Sequence, residues 1–213
     1  MSRYRNRTDA GQQLASAVVE RLGPALDDAL VFALPRGGVP VAAEVATALG
    51  CPLDVLVVRK LGMPFDPEFA FGAISTGGAC YLNPEIMARG ILTEPQINEV
   101  KAEQEQELAR RDHLYRGVKP LPNLTNKTVI VVDDGIATGA TMRAALMAVR
   151  NLGAKRVVLA VPVAPEESVL EFADLADDFI CPLLPAHLGS VGQFYEDFSQ
   201  VSDEQVLQHL GHG

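Results

Sequence analysis

The chain has 213 residues, 48% of them hydrophobic, and a formal net charge of −9. One domain with an ample core is expected, and the acidic balance argues against a broad nucleic-acid or anionic-membrane surface while leaving room for a local basic pocket. The cysteines (Cys51, Cys80, Cys181) and histidines (His113, His187, His209, His212) are scattered, no apolar leader opens the chain, and no stretch approaches membrane-spanning length. Reduced thiols, no structural zinc site and a cytoplasmic location are therefore expected.

In chain order, Arg3, Arg5 and Arg7 alternate in an N-terminal arm. They read as solvated, or as phosphate ligands if the arm folds over a cleft. Asp9-Ala-Gly-Gln12 has capping-box spacing for a helix to about Leu22, with Leu14, Val18 and Leu22 on its apolar face. Leu30 to Leu34 reads as a strand, Pro35-Arg36-Gly37-Gly38 as a turn, and Val39 to Leu49 as an Ala-rich helix. Leu53 to Val58 is a second apolar strand, ending in Arg59-Lys60. An insertion over 61–120 follows: a Gly- and Pro-containing segment from Leu61 to Asp66, then a hairpin of Phe69–Ser75 with Ala79–Leu82 around Thr76-Gly77-Gly78. Thr93-Glu94-Pro95-Gln96 opens a long helix to about Tyr115, docked by Ile97, Val100, Leu108 and Leu114, with Arg110 and Arg111 suited to its C-terminal dipole.

Val129 to Val132 is an apolar strand that ends in two adjacent carboxylates, Asp133 and Asp134. A small, hydroxyl-bearing loop, Gly135-Ile136-Ala137-Thr138-Gly139-Ala140-Thr141, then leads into a helix from Met142 to Arg150. Such a strand, apolar throughout, belongs inside a parallel sheet, and its carboxyl end is where open α/β sheets bind ligands. Amides at a helix start favour a phosphate, and Thr138 and Thr141 add hydroxyl donors. An anion cradle beside paired carboxylates suits a phosphorylated sugar with free hydroxyls. A P-loop is excluded, since no Gly-Lys-Ser/Thr follows the glycines. Further strands are expected over Arg156–Pro162 and Asp178–Cys181, around a helix over Glu166–Ala176. The tail over 182–213 brings an aromatic cluster of Phe194, Tyr195 and Phe198.

From Val129 to Thr141 the chain resembles the type I phosphoribosyltransferases, whose signature is an apolar strand, two acids and a loop ending in Thr-Gly-x-Thr. The resemblance implies a Rossmann-like α/β fold with a parallel sheet of about five strands, flanking helices and a hood. It further implies transfer of the 5-phosphoribosyl group from phosphoribosyl pyrophosphate (PRPP) to a nitrogenous base, within nucleotide metabolism. In this reading Gly135 to Thr141 hold the 5-phosphate, and Asp133 and Asp134 hold the ribose hydroxyls. Pro35, Arg36, Gly37 and Gly38 resemble the pyrophosphate loop, which in the family often contains a non-proline cis peptide. Arg59 and Lys60 either reach pyrophosphate or cap a solvated strand end. Mg²⁺ is implied as cofactor, held mainly by PRPP and water rather than by protein ligands.

The family's mobile loop corresponds to Leu61–Gly78, with Glu68 and Ser75 as polar members, or that segment is an ordinary hairpin. The 6-oxopurine enzymes carry an acid where this chain has Ala137, so its loop is closer to the adenine type. Phe194 and Tyr195 either stack on the acceptor from a hood or pack in the core. A homodimer is a family expectation, with no nucleic-acid or membrane partner. Pro35-Arg36-Gly37-Gly38, Arg59-Lys60-Leu61-Gly62, Phe71-Gly72-Ala73-Ile74 and Tyr195-Glu196-Asp197-Phe198 also resemble a stand-alone or esterase-fused group of phosphoribosyltransferase-like proteins, over most of the chain. The alternative is a PRPP- or nucleotide-sensing regulator on the same fold. Intact Arg36, Lys60, Asp133 and Asp134 favour the enzyme.

Overall fold

The computed structural model describes residues 3–24 and 26–211, except for the side chain of Glu68. Glu68's side-chain role and His212 therefore lie outside the described residues. The first half runs α1 (Arg7–Leu22), β1 (Ala29–Ala33), α2 (Gly38–Leu49), β2 (Leu53–Val55), β3 (Val58–Met63), β4 (Asp66–Ser75), β5 (Cys80–Leu82) and α3 (Pro84–Ala88). The second half runs α4 (Glu94–Arg116), β6 (Thr128–Val132), α5 (Ala140–Asn151), β7 (Arg156–Ala160), α6 (Ser168–Glu171), β8 (Asp178–Ile180) and α7 (Asp203–His209).

Five strands form a parallel sheet in the order β2-β1-β6-β7-β8, and β3, β4 and β5 form a separate antiparallel sheet. β1 and the Val129–Val132 run of β6, at the centre of the parallel sheet, are apolar throughout because alternate side chains feed two cores. Val31, Ala33, Ile130 and Val132 pack with Leu14 and Val18 of α1 and Val41 and Val45 of α2. Leu30, Phe32, Val129 and Val131 pack with Met142, Leu146 and Val149 of α5. No described helix is long and apolar enough to cross a membrane.

Several local expectations are corrected. The cap of α1 is Asn6, whose side chain accepts from the Asp9 amide at 3.0 Å; Asp9 lies inside the first turn. The run from Leu53 to Val58 is two strands, not one. Leu56 and Val57 stay buried while the chain leaves the parallel sheet, so hydrophobicity does not register the change of pairing partner. Leu61–Gly78, expected partly as a loop, is mostly sheet: β3 pairs with β4 around the Pro64-Phe65 turn, and β4 pairs with β5. The helix expected over Glu166–Ala176 is the single turn α6 followed by further turns, several closed by i to i+3 hydrogen bonds such as Leu175 N–H to Phe172 O at 3.0 Å. The long helix α4 starts from a complete Thr93/Gln96 capping box. Ile97, Val100 and Leu108 dock it on Leu61, Met63, Phe71 and Ile74, whereas Leu114 stays exposed.

Candidate active site

Adjacent strands β1 and β6 end side by side, so the loops that follow them face each other at the carboxyl edge of the sheet. The Leu34 amide donates to the Val132 carbonyl at 2.9 Å, which continues the pairing up to the first carboxylate. At Gly38 a Cβ would meet the Val132 carbonyl oxygen and the Asp133 Cα, each at 2.9 Å, so only glycine lets the two loops touch. The Pro35–Arg36 peptide is cis.

Past the carboxylates, Ile136 N–H is anchored to the Val163 carbonyl at 2.9 Å. Gly139 caps α5 with φ 74°, a conformation that favours glycine. Among the described residues, the amides from Ala137 to Thr141 donate to no protein acceptor, those of Gly139 to Thr141 because they open a helix. These donors sit at the positive end of α5, beside an exposed Thr138 and a half-buried Thr141.

Two clefts meet over this edge, with Val191 in the wall of both. The first, about 160 Å³, places Lys60 and Asp133 beside the Gly135–Gly139 loop and Thr141. The second, about 580 Å³, lies between Arg36, Gly37, Asp134 and Ala137 on one side and the Gly189–Gly192 strap with Phe198 on the other. The sequence-selected Asp133, Asp134, Arg36, Lys60 and signature loop are therefore brought together.

Three other selected residues are not. Arg59 turns to the opposite face of β3 from Lys60, as strand alternation requires, and holds Gln104 Oε1 on α4 through Nε at 3.0 Å and Nη2 at 2.8 Å. Phe194 and Tyr195 are buried, packed with Tyr4 and Val163 beneath the cleft. The aromatic ring in the cleft wall is Phe198, 4.9 Å from the Tyr195 ring.

The carboxylates differ in their surroundings. Asp133 Oδ1 accepts from the Asp134 amide at 2.8 Å. Burial, reinforced by the neighbouring Asp134 charge, pushes Asp133 well above the usual carboxylate range, against the pull of Arg7 and Lys60. Burial also raises Asp134, opposed by the Arg7 guanidinium. Arg7 Nε donates to Asp134 Oδ2 at 2.8 Å, Nη1 donates to the Ser199 carbonyl at 2.7 Å, and the guanidinium lies 4.0 Å from the centre of the Phe198 ring. The Tyr195 hydroxyl donates to the Asp134 carbonyl at 2.6 Å. Arg36 is held loosely: its Nη1 stands 3.8 Å from Asp203 Oδ1, which also accepts the Tyr115 hydroxyl at 2.6 Å.

Arg7, read as solvated or as a phosphate ligand, is instead paired with Asp134, and Phe198, grouped with the tail aromatics, is not singled out by the sequence for the cleft wall. The alternation of the arginine arm was visible, but Arg7 and its two polar partners are far apart in the chain, and no local signal links them.

A parallel sheet with a phosphate-ready loop and paired acids at its carboxyl edge is the arrangement of a phosphoribosyltransferase domain. The family model of that name, "Phosphoribosyl transferase domain", matches residues 85–193, and the chain belongs to this family. It is 46% identical over 210 residues to a Mycobacterium tuberculosis protein named "Putative phosphoribosyl transferase Rv0571c", covering 99% of this chain and 47% of that protein. The chain thus spans about half the length of the curated relatives it matches. The crystal structure of TT1426 from Thermus thermophilus superposes with a TM-score of 0.81 at 41% identity, over 98% of this chain and 97% of that one. AQ2163 from Aquifex aeolicus shares the fold at 11% identity, with a TM-score of 0.53 over 87% of this chain and 78% of its own.

Proposed function

We propose that the chain transfers the 5-phosphoribosyl group from PRPP to a nitrogenous acceptor and releases pyrophosphate. The observation that carries this reading is the cleft in which Lys60, Asp133 and the free amides of Ala137–Thr141 converge. The amides and the Thr138 and Thr141 hydroxyls suit the 5-phosphate, and Asp133 and Asp134 suit the ribose hydroxyls. Arg36 and Lys60, with the Gly37–Gly38 backbone, suit the pyrophosphate. The acceptor nitrogen donates its lone pair to C1 as the C1–O bond breaks, and that bond's electron pair leaves with pyrophosphate. Charge builds on the leaving group while the sugar becomes cation-like, so fixed donors on one side and carboxylates on the other favour the transition state.

Among the described residues no group of three or more His, Cys, Asp or Glu side chains is placed to hold a metal. This donor set fits a Mg²⁺ carried on the donor's phosphates and its own waters, where it would offset phosphate charge. Phe198, rather than Phe194 or Tyr195, is the ring available to the acceptor side.

The test is pyrophosphate release from PRPP and Mg²⁺ across a panel of purines, pyrimidines and related heterocycles, with the ribonucleotide identified by mass spectrometry. Release that depends on one acceptor, and is lost in a folded Asp133→Asn/Asp134→Asn double variant, is expected. Undiminished release by that variant would overturn the assignment.

A further inference from the structure

The Arg7 side chain is 11% exposed and is engaged from three directions before any ligand arrives. Different atoms of its guanidinium serve Asp134 and Ser199, and its face lies over Phe198. A planar fork held this way is pre-organised, which a flexible ammonium cannot reproduce. The carboxylate it holds is fixed at the backbone too, since Tyr195 holds the Asp134 carbonyl and Asp133 holds its amide. Only Oδ2 is taken by Arg7. Among the described residues no second side chain donates to the Asp134 carboxylate, and the residue forms part of the cleft wall.

We propose that Arg7 is a positioning residue of the donor site, fixing the Asp134 carboxylate in the orientation that receives a ribose hydroxyl. The inference rests on the PRPP reading above. Arg7 makes no covalent change and touches no reacting atom; it acts through Asp134. A fixed acceptor gains affinity because less freedom is lost when the hydroxyl binds. The arrangement also makes the N-terminal arm part of the site: the arginine projects from the first turn of α1 onto an acid at the end of β6, beside a carbonyl of the tail.

The test compares two ligands by titration calorimetry in the presence of Mg²⁺: PRPP, which presents the ribose, and inorganic pyrophosphate, which does not. Arg7→Gln should weaken PRPP by about tenfold or more, the effect of losing a charge-assisted contact, and weaken pyrophosphate, whose loop lies beside the lost charge, by a markedly smaller factor. Arg7→Lys should recover part of the PRPP affinity, because it can reach the carboxylate but cannot hold the fork. Phe198→Leu, which keeps the ion pair and removes the ring beneath it, should weaken PRPP less than Arg7→Gln. PRPP binding that is unchanged in Arg7→Gln would overturn the proposal, and tighter binding would mark Arg7 as a competitor for the acid instead. Parallel loss of both ligands in Arg7→Gln and Arg7→Lys would also overturn it, as a structural effect. A wild-type protein that binds pyrophosphate but not PRPP would instead remove the donor reading, and this inference with it.

Discussion

At Asp133 burial and the charge of Asp134 act in the same direction, raising the pKa well above the ordinary carboxylate range. A carboxylate whose folded pKa exceeds its unfolded value carries extra protons in the native state between those two values. Stability therefore falls as pH rises through that window and is lowest above it. Asp133→Asn keeps an oxygen able to accept the Asp134 amide and removes the repulsion. The variant should gain about 1 kcal/mol of folding stability at mildly alkaline pH, in keeping with the trade-off between stability and activity at functional sites. Urea melts at several pH values check this: the gain should shrink as pH falls towards the ordinary carboxylate range, while turnover is absent throughout. A variant less stable than the parent at alkaline pH would show that the acid has a structural role outweighing its burial.

Where elements meet, Asp178 shows how the far edge of the main sheet is secured. Its side chain, 5% exposed at the start of β8, is 2.6 Å from Arg156 Nη2 on β7 and 3.1 Å from Arg21 Nη2 in the last turn of α1. Asp178→Ala should cost about 2 kcal/mol in urea unfolding, the scale of lost hydrogen bonds to charged groups; no measurable change would mean that the edge is held by packing alone. Elements of this kind were legible where one local rule governed them. The apolar runs of β1, β6 and β7 and the Thr93 capping box of α4 lie in the sequence much as they lie in the fold. The same holds for Asp133, Asp134 and the loop after them, because strand end, acids and helix start are contiguous. Legibility failed where a segment answered to distant partners. Leu53–Val58 reads as one strand although its two ends join different sheets. Arg59 and Lys60 look equivalent until pairing with β4 sends them to opposite faces. Phe194, Tyr195 and Phe198 are three similar rings, and only tertiary packing decides that Phe198 forms the cleft wall.

Across the whole molecule, the N-terminal arm and the tail segment Phe194–Asp197 meet beside the site. Tyr4 bridges Tyr195 in a short parallel ladder, with Tyr4 N–H donating to Phe194 O and Glu196 N–H to Tyr4 O, each at 2.8 Å. The Tyr4 hydroxyl reaches the Pro162 carbonyl at 2.8 Å, so the arm is tied to the body as well as to the tail. Tyr4→Ala should open this unit locally. By hydrogen exchange, the Glu196 and Asp197 amides should lose protection while those of Val129–Val132 keep theirs; equal loss everywhere would indicate a single cooperative unit. The pairing also has a consequence for the newborn chain. Arg7 is made 192 residues before Ser199, whose carbonyl receives it. At ribosomal speed the interval is roughly 10 to 40 s. Once β8 is made the sheet can assemble around the two acids, but until Ser199 follows the arginine's anchorage cannot be completed. A nascent chain can therefore display the signature loop before the cleft wall beside it is finished.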